Sequence, residues 1–245
     1  MLLRLTGLLG LVLLASGCGV KTAYNNLDRL IVWWAEDFVE FDARQKTYLR
    51  TGLDELLYWH RTTQLPRYAE GLRDLDREVR KGIDLEALLD MEARVRTWGE
   101  ALGDASAPLV AELLHSLSDA QIAQLEAGFE ANNRRIMKPY AALDSEARRQ
   151  RWGEEFADSL AYFTGRLTKS QEELIDRYRA RYRPDEDAWL GYRQRWQAAL
   201  VELIRSRRDY VAFELAYRDM ASNRERWYGD AYRALFEHNE AMYRD

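Results

Sequence analysis

The chain has 245 residues, 47% hydrophobic and 31% charged, with a net charge of −5. That balance supplies a core and excludes general disorder. The mild acidity argues against a nucleic-acid partner, and a single cysteine excludes a disulfide framework.

The N-terminus reads as an export signal. Arg4 gives a weak charge ahead of an apolar run from Leu5 to Leu14, and small residues follow at Ala15, Ser16 and Gly17. The run is short of the roughly 20 apolar residues a spanning helix needs, and it fits a removed signal peptide, 1–17. Leu14-Ala15-Ser16-Gly17-Cys18 resembles the bacterial lipobox, with Ala15 where Leu is commonest. The resemblance implies that Cys18 is lipidated and becomes the first mature residue. Gly19 replaces the Asp that retains such proteins at the inner membrane, so the expected location is the outer membrane, facing the periplasm. Residues 18–23 are expected to be a short tether and 24–245 a helical domain.

Apolar residues then recur at three and four, and no stretch alternates as a strand does. The expected class is all-α, an irregular bundle of about nine to ten helices. Tyr24, Leu27, Leu30, Ile31, Trp34 and Phe38 share one face, which makes Trp34 a core residue. Alternatively, Tyr24, Trp33 and Trp34 meet lipid headgroups as interfacial aromatics do. Asp42 is expected to cap a helix to about Thr62, burying Leu49, Leu53, Leu56 and Leu57. Gln64-Leu65-Pro66 is expected to break it, with Pro66 opening the next helix. That helix ends at Lys81-Gly82, a C-cap signal. Asp84 caps another, and 103–108 is the most loop-like stretch, with a short helix from Pro108 to His115 after it. Ser118, Ser145 and Thr168 are read as further caps. A longer helix is expected from Asp185 to about Arg208, then two more with a joint near Ser222-Asn223. Residues 139–144 are the expected hinge if there are two lobes.

Three helix starts look alike: Phe41-Asp-Ala-Arg-Gln45, Leu117-Ser-Asp-Ala-Gln121 and Leu167-Thr-Lys-Ser-Gln171. A cap residue followed three positions later by Gln is a capping box, in which each side chain takes a backbone N–H of the other. The second and third also resemble the LTxxQ motif of small periplasmic stress chaperones, which are helical and bind unfolded clients or sensor proteins. More broadly, Tyr24-Asn25-Asn26-Leu27-Asp28-Arg29, Trp33-Trp34, Trp59-His60-Arg61 and Leu65-Pro66-Arg67-Tyr68 resemble an uncharacterised family of proteobacterial lipoproteins. That resemblance implies an all-helical domain behind a lipobox, with no assigned activity.

No nucleophile elbow, HExxH pattern or Gly-rich phosphate loop is present. Glu112 and His115 have Glu-x-x-His spacing, but a di-iron site needs two such pairs and two more Glu. Neither a catalytic nor a metal site, nor a cofactor, is therefore expected. Candidate binding residues are the aromatics Trp33 and Trp34, the trio Trp59, His60 and Arg61, and Tyr178, Arg179 and Tyr182 from a locally basic run. His60 has two readings: a bond to the breaking helix end, or a polar group in a pocket with Trp59 and Arg61. The expected function is a non-enzymatic envelope lipoprotein that binds protein, chaperone-like or in envelope stress. The alternatives are a glycan- or lipid-modifying enzyme with dispersed carboxylates and a structural subunit of an envelope assembly.

Overall fold

The computed structural model describes residues 17–244, with side chains from Lys21 to Met242. The expected signal segment lies almost wholly outside these residues, and so does the Cys18 side chain. Among the described residues every regular element is a helix, so the protein is all-α. We number the α-helices α1 (Gly17–Asn25), α2 (Leu27–Glu36), α3 (Ala43–Trp59), α4 (Leu65–Lys81), α5 (Leu85–His115) and α6 (Asp119–Met137). They continue as α7 (Ser145–Thr164), α8 (Lys169–Arg181), α9 (Glu186–Arg205), α10 (Tyr210–Ser222) and α11 (Asp230–Arg244). The expected tether residues are helical, as part of α1.

The chain divides into two compact units. The first runs to Gly128 and takes in Glu202–Ser222; the second is Phe129–Val201 and the residues from Asn223. Residues 139–144 lie inside the second unit. They begin within a 3-10 turn, Lys138–Tyr140, and Arg148 donates to the carbonyls of Tyr140 and Leu143 at 3.2 Å each.

In the first unit α3 buries Leu49, Leu53 and Leu57, the face its spacing predicts. Asp42 and Gln45 form a full capping box at its start. The expected break at Pro66 is absent. The helix passes instead through a π turn, His60–Gln64, into α4. Proline has no N–H and its ring collides with the carbonyl four residues back in an α-helix. Widening the turn eases the collision: the Leu65 N–H reaches back to His60 O, five residues away. The hydroxyls of Thr62 and Thr63 take up the carbonyls of Tyr58 and Trp59, at 2.9 and 2.8 Å.

The expected loop at 103–108 is also absent. α5 runs unbroken for 31 residues with Pro108 inside it. Pro108 leaves the Asp104 carbonyl without its helical donor, and Arg218 of α10 donates to that oxygen at 3.3 Å. Ala107 and Ala111 are buried and small, so α10 lies close along this part of α5 with Phe213 fully enclosed. The remaining differences are local. Asp144 rather than Ser145 caps α7, accepting from Ala147 N–H at 2.8 Å. α9 stops at Arg205 because Arg207 takes a positive φ of 47° and Asp209 caps α10. The joint at Ser222-Asn223 is present.

The second unit packs on aromatics. Trp189, Tyr192 and Tyr232 form its buried centre, with Trp196, Trp227, Tyr228 and Phe236 against them. Asn133 and Gln197 are buried and hydrogen-bonded to each other at 2.8 Å, and Arg193 donates to Asn133 at 2.8 Å. Buried polar groups are tolerated when satisfied in this way.

Candidate functional site

Three places in the first unit stand out, and two of them bring sequence-predicted residues together. One is the meeting of two helix starts. Gln45, only 5% exposed, accepts at Oε1 from its own cap residue Asp42 (3.0 Å) and from Gln121 Nε2 (2.6 Å). Gln121 mirrors it, accepting from Ser118 N–H (2.9 Å) and from Gln45 Nε2 (3.2 Å). Each amide also donates two residues ahead of the other's cap: Gln45 to Ser116 O (3.2 Å) and Gln121 to Glu40 O (2.9 Å). Two of the three related motifs thus form one reciprocal joint. Gln171, the third, closes only its own capping box with Thr168.

The π turn carries the second place. Tyr24 of α1 sets its hydroxyl 2.7 Å from His60 Nδ1. The His60 ring meets Tyr68 edge-on at 5.4 Å, and Tyr68 meets Trp98 of α5 at 4.7 Å. Arg61 stands over the Tyr24 ring at 5.6 Å, and Trp59 lies 6.5 Å from His60. Burial pushes the His60 pKa down, keeping the imidazole neutral at pH 7. Burial pushes the Tyr24 phenol up, against the opposing hydrogen bond and charge of Arg61. Two neutral groups sharing a proton make a directional clamp between α1 and the π turn. The expected bond from His60 to a breaking helix end is replaced by this one, because the helix does not break. Gln64, 3% exposed, has an Oε1 with no hydrogen-bond partner among the described residues.

The third place is a surface. α4 and α5 form an antiparallel hairpin whose register is fixed by the Tyr68–Trp98 contact and by Arg94 on Asp74 at 3.0 Å. Leu65, Leu72 and Val79 on α4 and Leu88, Val95 and Leu102 on α5 are all exposed, from 38% at Val95 to 58% at Leu72. Residues seven apart return to nearly the same side of a helix. The register sets Leu65 beside Leu102, Leu72 beside Val95 and Val79 beside Leu88. The hairpin therefore presents a two-helix-wide apolar stripe on one face. Sequence reasoning missed it, although the seven-residue spacing was there to be read.

The other candidates separate. Trp33 and Trp34 are 66% and 50% exposed with Leu30 beside them, so the core reading of Trp34 is corrected. Val32 is the residue of α2 that is buried. Tyr182 is buried too, stacked on Trp152 at 4.6 Å, and is not part of a surface. Arg179 lies against Gly153, bonds Gln150 and pairs with Asp176 at 3.2 Å, while Tyr178 is half-buried. These residues tie α8 to α7.

A cleft of about 400 Å³ at the hairpin's turn end is lined by Asp74, Asp84, Glu86 and Asp90 with Arg77 and Arg94. Arg94 bonds both Asp74 and Asp90, and Arg77 bonds Asp74. Desolvation alone would raise the Asp74 pKa, but the hydrogen bonds and charges of Arg94 and Arg77 together hold it below the usual carboxylate range. Among the described residues no three His, Cys, Asp or Glu side chains are grouped to hold a metal ion.

A family described as a family of unknown function (DUF6279) matches residues 37–233. The chain belongs to that family. No curated protein and no solved structure matches it. The matched stretch contains the glutamine joint, the π turn and the hairpin. Cys18, Tyr24, Trp33 and Trp34 precede it.

Proposed function

We propose that this is a bacterial envelope lipoprotein, held through acylated Cys18 at the outer membrane on the periplasmic side, whose helical body binds protein. The observation that carries the protein-binding reading is the hairpin stripe. Scattered apolar side chains on a surface are ordinary, but a contiguous patch marks an interaction site. The exposed Trp33 and Trp34 support a seat for α2 in the headgroup layer, where such side chains are favoured.

The chaperone-like form of this reading draws less support. Of the two LTxxQ-like glutamines, Gln121 is consumed by capping and by its bonds with Gln45, and Gln171 by its own capping box with Thr168. The enzyme reading draws less still. A glycan-cleaving pair keeps one carboxyl protonated to donate, whereas the Asp74 carboxyl is held ionised by its arginines.

In-cell crosslinking of the lipidated protein, followed by mass spectrometry, tests the binding reading. Wild type should give protein crosslinks that map to 65–102, and the variant Leu72→Asp/Val95→Asp should lose them. Crosslink patterns unchanged by the double substitution would sink it.

A further inference from the structure

We propose that the partner of the hairpin stripe is a second copy of this chain, joined hairpin to hairpin as an antiparallel four-helix bundle. This rests on the protein-binding reading of that face and names its partner. Two helices in register, each with apolar residues every seven positions on one side, are half of such a bundle. Bundles of this kind pack their helices about 20° apart through a core repeating at that period. The face that completes the bundle must carry the same spacing over the same length, and this hairpin does.

The symmetry can be specified. A two-fold axis crossing the hairpin between Leu72 and Val95, perpendicular to the helices, sets Leu72 on Leu72 and Val95 on Val95 of the second copy. Leu65 and Leu102 then meet Val79 and Leu88. Such a contact is self-complementary and closed, the commonest form of soluble oligomer. The charges agree with this axis. Asp76 and Glu92 flank the stripe on its outer edges, each salt-bridged on its own helix, to Arg80 and Arg96. The crossing axis places Asp76 near Ala69 and Glu92 near Gly99. An axis parallel to the helices would instead set Asp76 against Glu92, a like-charge contact that disfavours it.

The test uses disulfide trapping in the Cys18→Ser background, which has no other thiol. Under mild oxidation Leu72→Cys should convert to a covalent dimer. Leu65→Cys and Val79→Cys should stay largely monomeric alone and crosslink when mixed. The control Leu85→Cys, outside the stripe, should crosslink with none of them. Sedimentation velocity of the same chain without engineered cysteines should show a dimer. Leu72→Asp/Val95→Asp should weaken it more than about a hundredfold, since each charge would be buried unpaired. A monomer at all concentrations with no Leu72→Cys dimer overturns the second copy as partner. If the in-cell crosslinks at 65–102 nonetheless persist in wild type and vanish in the double variant, the protein-binding reading survives with a different partner. If they too are unaffected, both fall.

Discussion

His60 shows how one side chain is set by several elements at once. Its ring is held by Tyr24 from α1 and Tyr68 from α4, and its backbone carbonyl accepts the five-residue bond that lets the chain pass Pro66. Burial lowers its folded-state pKa, so over the window below the ordinary histidine value the unfolded chain takes the proton first. Its stabilising contribution is therefore complete above about pH 6.5 and is lost as pH falls from there through the folded value. Urea midpoints measured at about pH 7.5 and about pH 5.5 check this. Wild type should lose more stability on acidification than His60→Asn, which keeps an acceptor near the Nδ1 position and does not titrate. Equal losses in the two proteins would show that His60 protonation does not matter to the fold.

Among the elements, the paired starts of α3 and α6 make the sharpest prediction. Removing a helix cap costs about 1 kcal/mol. Removing Gln45 or Gln121 leaves the cap residue in place but opens the capping box. It also strips a partner from the facing amide, buried at 45 and half-buried at 121, which costs up to about 1–3 kcal/mol more. Gln45→Ala and Gln121→Ala should each destabilise by about 2 kcal/mol or more. The double variant should cost less than the sum of the singles, with a coupling above about 0.5 kcal/mol in a double-mutant cycle. Additive effects would mean the two caps work alone. The capping boxes themselves were legible in the sequence, because a cap is a local pattern of four residues. Their pairing was not, because residues 45 and 121 are brought together only by the tertiary path. The same holds for the prolines. Pro66 and Pro108 read as breaks since a lone helix cannot satisfy what they remove. A π turn carries the chain past Pro66, and Arg218 covers the Asp104 carbonyl that Pro108 frees. Arg218 is 110 residues from Pro108, and no local reading could supply it.

At the scale of the whole molecule, the proposed anchor and the proposed seat are separable by experiment because they use different physics. The anchor is a linear motif, which is why it could be read from Leu14 to Cys18 without any fold. The seat is a matter of exposure, and the sequence pattern put Trp34 in the core because it could not show which face α2 buries. One acyl chain binds a bilayer only marginally and more than one holds it firmly, so a Cys18 carrying several chains, as the lipobox resemblance implies, should dominate partitioning. Trp33 and Trp34 add interfacial affinity that matters only once that anchor is gone. Fractionation of cells into membrane and soluble periplasmic extracts should recover wild type and Trp33→Ser/Trp34→Ser with the membrane. Cys18→Ser should move to the soluble extract in large part, with a remainder that sediments. Adding Trp33→Ser/Trp34→Ser to Cys18→Ser should release that remainder. If Cys18→Ser stays wholly in the membrane fraction, the chain is held by something other than acylation. If the tryptophan substitutions leave the remainder unchanged, their exposed face meets protein or solvent rather than lipid.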